Sequence, residues 1–184
     1  EVMEDDDRAV AFASKRGFRQ TMRFATSELD LTTFDVKPFQ HFLDRARAEG
    51  VEIFSVIELK EQVADWKEKL YDLRWEILED VPSPDPLTKD TLEQWERHVL
   101  NNPTLFPESW MIALDGDRFV GYSNMWKIPA NPNKLDTGLT GVVRTHRRKG
   151  VCTAMKVRAF DAARAYGAKI IETENEENNP MYQI

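Results

Sequence analysis

Residues 142–153, Val-Val-Arg-Thr-His-Arg-Arg-Lys-Gly-Val-Cys-Thr, constrain the fold more than any other stretch, because they set a basic turn and a glycine between a strand and a helix. Leu139-Thr140-Gly141-Val142-Val143 reads as the end of a half-buried strand. Val151, Ala154, Met155, Ala159, Ala162 and Tyr166 then recur at helical spacing, and Gly167 supplies a stop. The first N–H groups of such a helix have no intrahelical acceptor, and its dipole adds about half a positive charge at that end. A pyrophosphate-like anion is therefore stabilised there. Arg147, Arg148 and Lys149 add side-chain charge, and Gly150 lets the anion approach a backbone without a Cβ.

The flanks add context. Residues 169–175, Lys-Ile-Ile-Glu-Thr-Glu-Asn, read as another strand, and residues 176–184 as a loop entering a helix with Pro180 in its first turn. The run Arg147-Arg148-Lys149-Gly150-Val151-Cys152 resembles the signature of the GNAT superfamily of acyl-CoA-dependent N-acyltransferases. That signature is Gln or Arg, two residues, Gly, one residue, then Gly or Ala, opening the helix after the fourth strand. Cys152 departs from it, and sulfur is small enough to keep the helix end close to a phosphate. Asn178, followed three residues later by the apolar Met181, fits the family's pattern at the head of its fourth helix.

The resemblance implies an α/β fold, a three-layer α/β/α sandwich around a mixed, largely antiparallel sheet. The elements follow in that order. Residues 35–49 form a helix with Pro38 in its first turn and Gly50 as its stop, and 51–59 an apolar first strand. Val63, Trp66, Leu70, Leu73 and Ile77 mark a helix over 61–79. The prolines of 81–86 require a loop, and Leu92, Trp95 and Val99 mark a second helix. Residues 110–114 and 119–126 are strands joined by a turn at Asp115-Gly116-Asp117.

The ends of the chain resemble each other. Residues 3–12 lie over 175–184 without a gap at a shift of 172, an acidic turn passing into a helix in both copies. After the first copy, residues 19–31 alternate as a strand should. The chain thus reads as residues 1–34, the tail of a preceding GNAT-like module, a connecting helix over 35–50, and a module over 51–184 that lacks its last helix and strands. A fragment of a tandem GNAT protein is one account. A single permuted domain, with residues 8–31 supplying the missing helix and strand, is the other.

Composition excludes several classes. The formal charge of −7 argues against a nucleic-acid binder, even though residues 144–149 are basic. No apolar run approaches the length of a membrane span, and no signal peptide is visible. A single cysteine rules out an intrachain disulfide and points to a reducing compartment, so a cytoplasmic location is expected. His41 and His98 have no ligand partners at metal spacing, and no metal is expected. His146 is assigned to the field around the anion. Trp66 and Trp95 are assigned to packing, whereas Trp75, off the main helical stripe, and Trp110 and Trp126, at strand ends, are left open to substrate contact.

What remains is implied by the resemblance. The activity is transfer of an acetyl group from acetyl-CoA to a primary amine of a small molecule or peptide, by direct attack on the thioester. Val142 and Val143 match the positions that pair with pantetheine, and Arg147, Arg148, Lys149, Gly150, Val151, Cys152 and Thr153 match the pyrophosphate loop, with Asn178 beyond. Asp136 occupies a position where some members place a carboxylate base, and regular alternation puts it on the same face as Val142. Its bland reading is a polar residue where a loop enters the strand. Thr173 and Asn175 share a face of the next strand and are candidates for orienting substrate, while Glu172, Glu174, Glu176 and Glu177 make a local negative field. The family's tyrosine acid, seven residues after the Asn, falls at 185, beyond the sequence. A non-catalytic acyl-CoA-binding module acting as scaffold or sensor is the alternative function. Pairing within the chain, or exchange in a homodimer, is expected to complete the sheet through residues 19–31.

Overall fold

The computed structural model of the protein describes residues 2–83 and 86–179. The segment expected to form a helix from Pro180 onward, with Met181 and Tyr182, lies outside the described residues.

The chain starts with α1 (Asp7–Lys15), capped by the Asp6 carboxylate, which accepts from the N–H groups of Arg8 and Ala9. No α1 residue is buried, and Phe12 is exposed. Strand β1 (Phe24–Asp30) follows, then a 3₁₀ turn over Lys37–Phe39 and α2 (His41–Ala48). The single helix expected over 35–49 is therefore broken at Gln40, and Gly50, at φ +78°, ends it.

Strand β2 (Val51–Ser55) is shorter than the apolar run it begins. Ser55 leaves the strand to start α3 (Val56–Gln62) through a reciprocal capping box, its hydroxyl accepting from the Glu58 N–H while the Glu58 carboxylate accepts from the Ser55 N–H. Val63 then adopts extended backbone, and α4 (Trp66–Leu78) begins separately. The helix expected over 61–79 is thus two helices, with Leu70, Leu73 and Ile77 buried on α4 as its stripe requires. Helix α5 (Leu92–Trp95) runs into a π-helical turn over Glu96–Leu100. The remaining elements are β3 (Met111–Asp115), β4 (Arg118–Lys127), β5 (Lys134–Val142), α6 (Val151–Tyr166) and β6 (Ile170–Glu176).

The strands form one sheet in the order β1-β6-β5-β4-β3-β2, antiparallel except for β5 with β6. Two glycines define the layers. Gly121 of β4 pairs with Val142, and the next position along pairs Tyr122 with Gly141, so Gly121 and Gly141 look to opposite faces. A Cβ on Gly121 would lie 3.0 Å from Met155 Cε of α6, and one on Gly141 would lie 2.3 Å from Ile77 Cγ2 of α4. Helices therefore cover both faces, and glycine lets each approach its strand. On the α4 side the core is aromatic: Trp95 meets Trp110 edge-on, and Trp110 meets Tyr122. All three are buried. Trp110 is thus a packing residue, whereas Trp75, though buried, stands outside the core cluster with the Arg74 and Lys89 cations over its ring.

Residues 19–31, expected as a strand, supply β1, which pairs with β6 from Phe24↔Glu176 to Asp30↔Ile170. This covers the edge that β6 would otherwise expose. The Arg164 guanidinium ties the junction by donating to the carbonyl of Phe34 at 2.7 Å.

Candidate active site

Strands β5 and β6 run together only from Lys134↔Ile170 to Asp136↔Glu172. Beyond that, β6 stays with β1 to Glu176 while β5 continues along β4 to Val142, so a wedge opens between them. At the wide end the Val143 N–H donates to the Val120 carbonyl at 2.9 Å, making residues 120 and 143 a hydrogen-bonded pair. The adjacent pair Gly121↔Val142, and Ser123↔Thr140 two residues on, are then non-bonded pairs, whose backbone groups point away from each other. Val142 and Thr140 thereby present peptide groups to the wedge. The Val143 amide, in contrast, is spent on β4.

A bulge alters the faces. Between the pairs Ser123↔Thr140 and Met125↔Thr137, β4 advances two residues and β5 three. The extra residue reverses the alternation, so Asp136, paired with Trp126, lies on the α4 side while Val142 lies on the α6 side. Asp136 and Val142 therefore do not share a face, against the expectation from regular alternation. Thr173 and Asn175 share a face of β6, and because Glu172 is the register partner of Asp136 that face is the one opposite Asp136. The companions of Asp136 are Glu172, Glu174 and Lys134.

The basic loop closes the wide end of the wedge. Gly150 is in the left-handed region at φ +85° and caps α6 without any side-chain hydrogen bond, leaving the N–H groups of Val151, Cys152 and Thr153 without intrahelical acceptors. A Cβ on Gly150 would lie 2.4 Å from Phe42 Cδ1, so the glycine admits the Phe42 ring of α2 as well as a backbone turn. Arg147 Nε donates to the Val142 carbonyl at 2.9 Å, and its guanidinium also binds Asp80, which Arg144 grips through Nε at 3.1 Å. The Arg144 and Arg147 guanidiniums beside Asp80 hold its carboxyl down at about 2. Lys149 faces Glu49 at 3.5 Å, and the Arg148 carbonyl accepts from Arg45.

Other residues fall elsewhere. His146 is buried, with Nε2 3.0 Å from Asp115 Oδ2 of the β3–β4 hairpin and Nδ1 2.9 Å from the Thr145 hydroxyl. It braces the loop against the sheet rather than joining the exposed charge. Cys152 is mostly covered, and burial pushes its thiol up, so it is a protonated packing group. Asn178 follows β6, and its side-chain amide donates to Glu176 Oε1 at 2.8 Å. Asp136 is half-buried, and burial, then Glu172 and Glu174, raise its carboxyl above the usual 3.8 against the pull of Lys134. Among the described residues no group of three or more His, Cys, Asp or Glu could hold a metal ion, and no helix is long and apolar enough to cross a membrane. Sequence reasoning missed Asp80, whose only signal was its place just past the end of a helix.

This chain belongs to the Acetyltransferase (GNAT) family, whose family model matches residues 67–183. A GCN5-related N-acetyltransferase from Sphaerobacter thermophilus superposes with a TM-score of 0.68 at 18% identity, covering 97% of this chain and 50% of its own. A tandem GNAT protein from the clavulanic acid biosynthesis pathway gives 0.64 at 17% identity, covering 97% of this chain and 53% of its own. The glucosamine N-acetyltransferase region of a fungal multi-domain GH3 β-N-acetylglucosaminidase gives 0.67 at 14%, covering 100% of this chain and 22% of its own. At these identities the likeness is one of fold. The chain spans about half the length of the first two. A search of curated proteins returned no match.

Proposed function

We propose that this domain transfers an acetyl group from acetyl-CoA to a primary amine. The observation that carries the reading is the wedge between β5 and β6, into which the Thr140 peptide groups and the Val142 N–H are turned, leading to the uncapped N-terminus of α6. Donor and acceptor groups on a strand edge suit the amides of pantetheine, and three free helical N–H groups behind a left-handed glycine suit a pyrophosphate. Val142 would hold the pantetheine arm, with Val143 positioning it through β4. The N–H groups of Val151, Cys152 and Thr153 would take the pyrophosphate, with Arg148 and Lys149 at the rim and Arg147 fixing the loop through the Val142 carbonyl. Acetyl-CoA supplies the acetyl group as a thioester, which a neutral amine attacks at the carbonyl carbon with loss of the CoA thiol.

An alkylammonium must first lose a proton, because only the free amine is nucleophilic. Asp136 is the group we assign to accept it, since its raised carboxyl pKa makes it a better base than an ordinary carboxylate. The test is transfer to a panel of amines, followed by CoA release, with the wild type and Asp136→Asn. The variant is expected to lose about 10²-fold in kcat/KM while keeping its affinity for acetyl-CoA. It is expected to melt no lower than the wild type, because the charge it removes is one that burial penalises. Full activity in the variant would move the proton to another group. Tight binding of acetyl-CoA with no transfer to any amine would instead make the domain a binding module.

A further inference from the structure

Helix α4 presents two flanks to its neighbours. On one, Glu76 binds Arg118 at 3.1 Å and Lys69 stands over the Phe119 ring, so that flank looks to the β3–β4 hairpin. The other carries Tyr71, Arg74 and Trp75 and is covered by the segment leading into α5. There the Tyr71 hydroxyl donates to the Asp90 carbonyl, and the Lys89 ammonium stands 5.0 Å from the Tyr71 ring and 5.9 Å from the Trp75 ring.

Arg74 is the unmatched group on this second flank. Its Nη1 is closed off from solvent and has no hydrogen-bond partner, and Trp75 Nε1 is in the same state. The guanidinium stands 5.3 Å from the Trp75 ring, a contact that occupies no N–H group. Among the described residues neither Arg74 nor Lys89 has an ion pair. Other cations of α4 are matched, Lys67 by Glu96 and Lys69 by Asp65, each at 3.0 Å. In a chain of formal charge −7, folding has thus left two cations around one indole without a carboxylate.

A second observation places this group over the face that Asp136 serves. Ile77 packs on Gly141, the register partner of Tyr122, and Arg74 lies one helical turn before Ile77. The guanidinium acts on Tyr122 itself: burial raises the phenol, and the Arg74 charge opposes the rise. Tyr122 and Trp126 share the α4 face of β4, and Trp126 is the register partner of Asp136. The strand between Tyr122 and Trp126 rises about 13 Å. One face therefore has an unpaired cation toward one end and the assigned base at the other.

We infer that the acceptor amine also carries a carboxylate, which Arg74 binds with Lys89 at the rim while the amino group lies at Asp136. The inference rests on the acetyl-transfer reading for the fate of the amine, but its claim of anion binding stands alone. A planar guanidinium suits a carboxylate because two parallel N–H groups meet two oxygens. The anion also supplies the acceptor that Nη1 lacks. The length of the face calls for a chain between the two charges, as in a short peptide or an ω-amino acid.

The experiment compares 6-aminohexanoate with hexylamine, which share a six-carbon chain and an amino group and differ in the terminal carboxylate. The wild type should prefer the amino acid by tenfold or more in kcat/KM, through KM, with the preference shrinking as salt rises. Arg74→Met, which keeps an aliphatic stem on Trp75, should bring the ratio to one or below by raising KM for 6-aminohexanoate alone. It should melt no lower than the wild type, because the charge it removes has no partner. Arg74→Lys, which keeps the charge without the planar fork, should retain part of the preference. Equal use of the two amines by the wild type, or an unchanged ratio in a folded Arg74→Met protein, overturns the inference and leaves acetyl transfer standing. Should neither amine be acetylated, the acetyl-transfer reading fails, and anion binding is read by calorimetry of 6-aminohexanoate in the presence of CoA. Binding that disappears in Arg74→Met sustains the inference, whereas no binding to the wild type, or equal binding to both proteins, overturns it.

Discussion

Three residues carry forces that can be separated. Gly150 answers to two constraints, a left-handed backbone and the Phe42 ring against its Cα. An L-residue there costs about 1–2 kcal/mol for the backbone alone, before the clash. Gly150→Ala should therefore lower Tm by about 4 °C or more, and Phe42→Ala in the same chain should recover only the steric part, as thermal melts would show. Asp80 holds Arg144 and Arg147, and its folded pKa of about 2 lies below the ordinary 3.8. Its stabilising contribution is complete above 3.8 and is lost as pH falls toward 2, so Asp80→Asn should flatten the acid side of the stability profile. It should also weaken acetyl-CoA binding, since Arg147 loses an anchor. Asp136 has the opposite sign. Its folded pKa is raised, so with Asp136 in the proposed role of base the acid limb of kcat/KM should sit above that of an ordinary aspartate. In Glu174→Gln that limb should move down, because one of the charges that raises it is gone.

At the scale of elements, what was legible depended on whether the signal was local. Helix α6 could be read to the residue, since Gly150 and Gly167 bracket it and both adopt left-handed backbone. The end of β2 was hidden, because the apolar run continues to Leu59 and only the pair Ser55 and Glu58 announces a helix cap inside it. The bulge in β5 could not be read at all. Its evidence is a mismatch between two strands, Ser123 to Met125 against Thr140 to Thr137, and register is a property of the pair. That one residue put Asp136 and Val142 on opposite sides of the sheet. The contact of Phe42 with Gly150 and the grip of Asp80 on Arg147 were out of reach for the same reason, each joining parts of the chain far apart in sequence. Strand β1 is the element whose removal is most informative. Deleting residues 1–33 strips the antiparallel partner from β6 along its whole length. The remaining domain should precipitate or melt several degrees lower, because an open strand edge is prone to pair with other chains. A soluble monomer with an unchanged Tm would show that β1 contributes nothing to the sheet's stability.

For the whole molecule, the layers and the site follow from one device, a mixed sheet whose single parallel pair separates. Helices α4 and α6 hold the sheet from either side through Gly141 and Gly121, and the opening between β5 and β6 leads to the α6 N-terminus. The pairing of β1 with β6 is shared by the two accounts of the chain, a fragment of a tandem protein and a permuted domain, and either would keep the same wedge. The most direct measurement is calorimetric titration of acetyl-CoA into the wild type and into Gly150→Asp, whose carboxylate would meet both the Phe42 ring and the anion. One-to-one binding to the wild type, absent in a folded Gly150→Asp protein, is the expected result. Equal binding to both proteins, or none to the wild type, would contradict the assignment of this loop as the cofactor site.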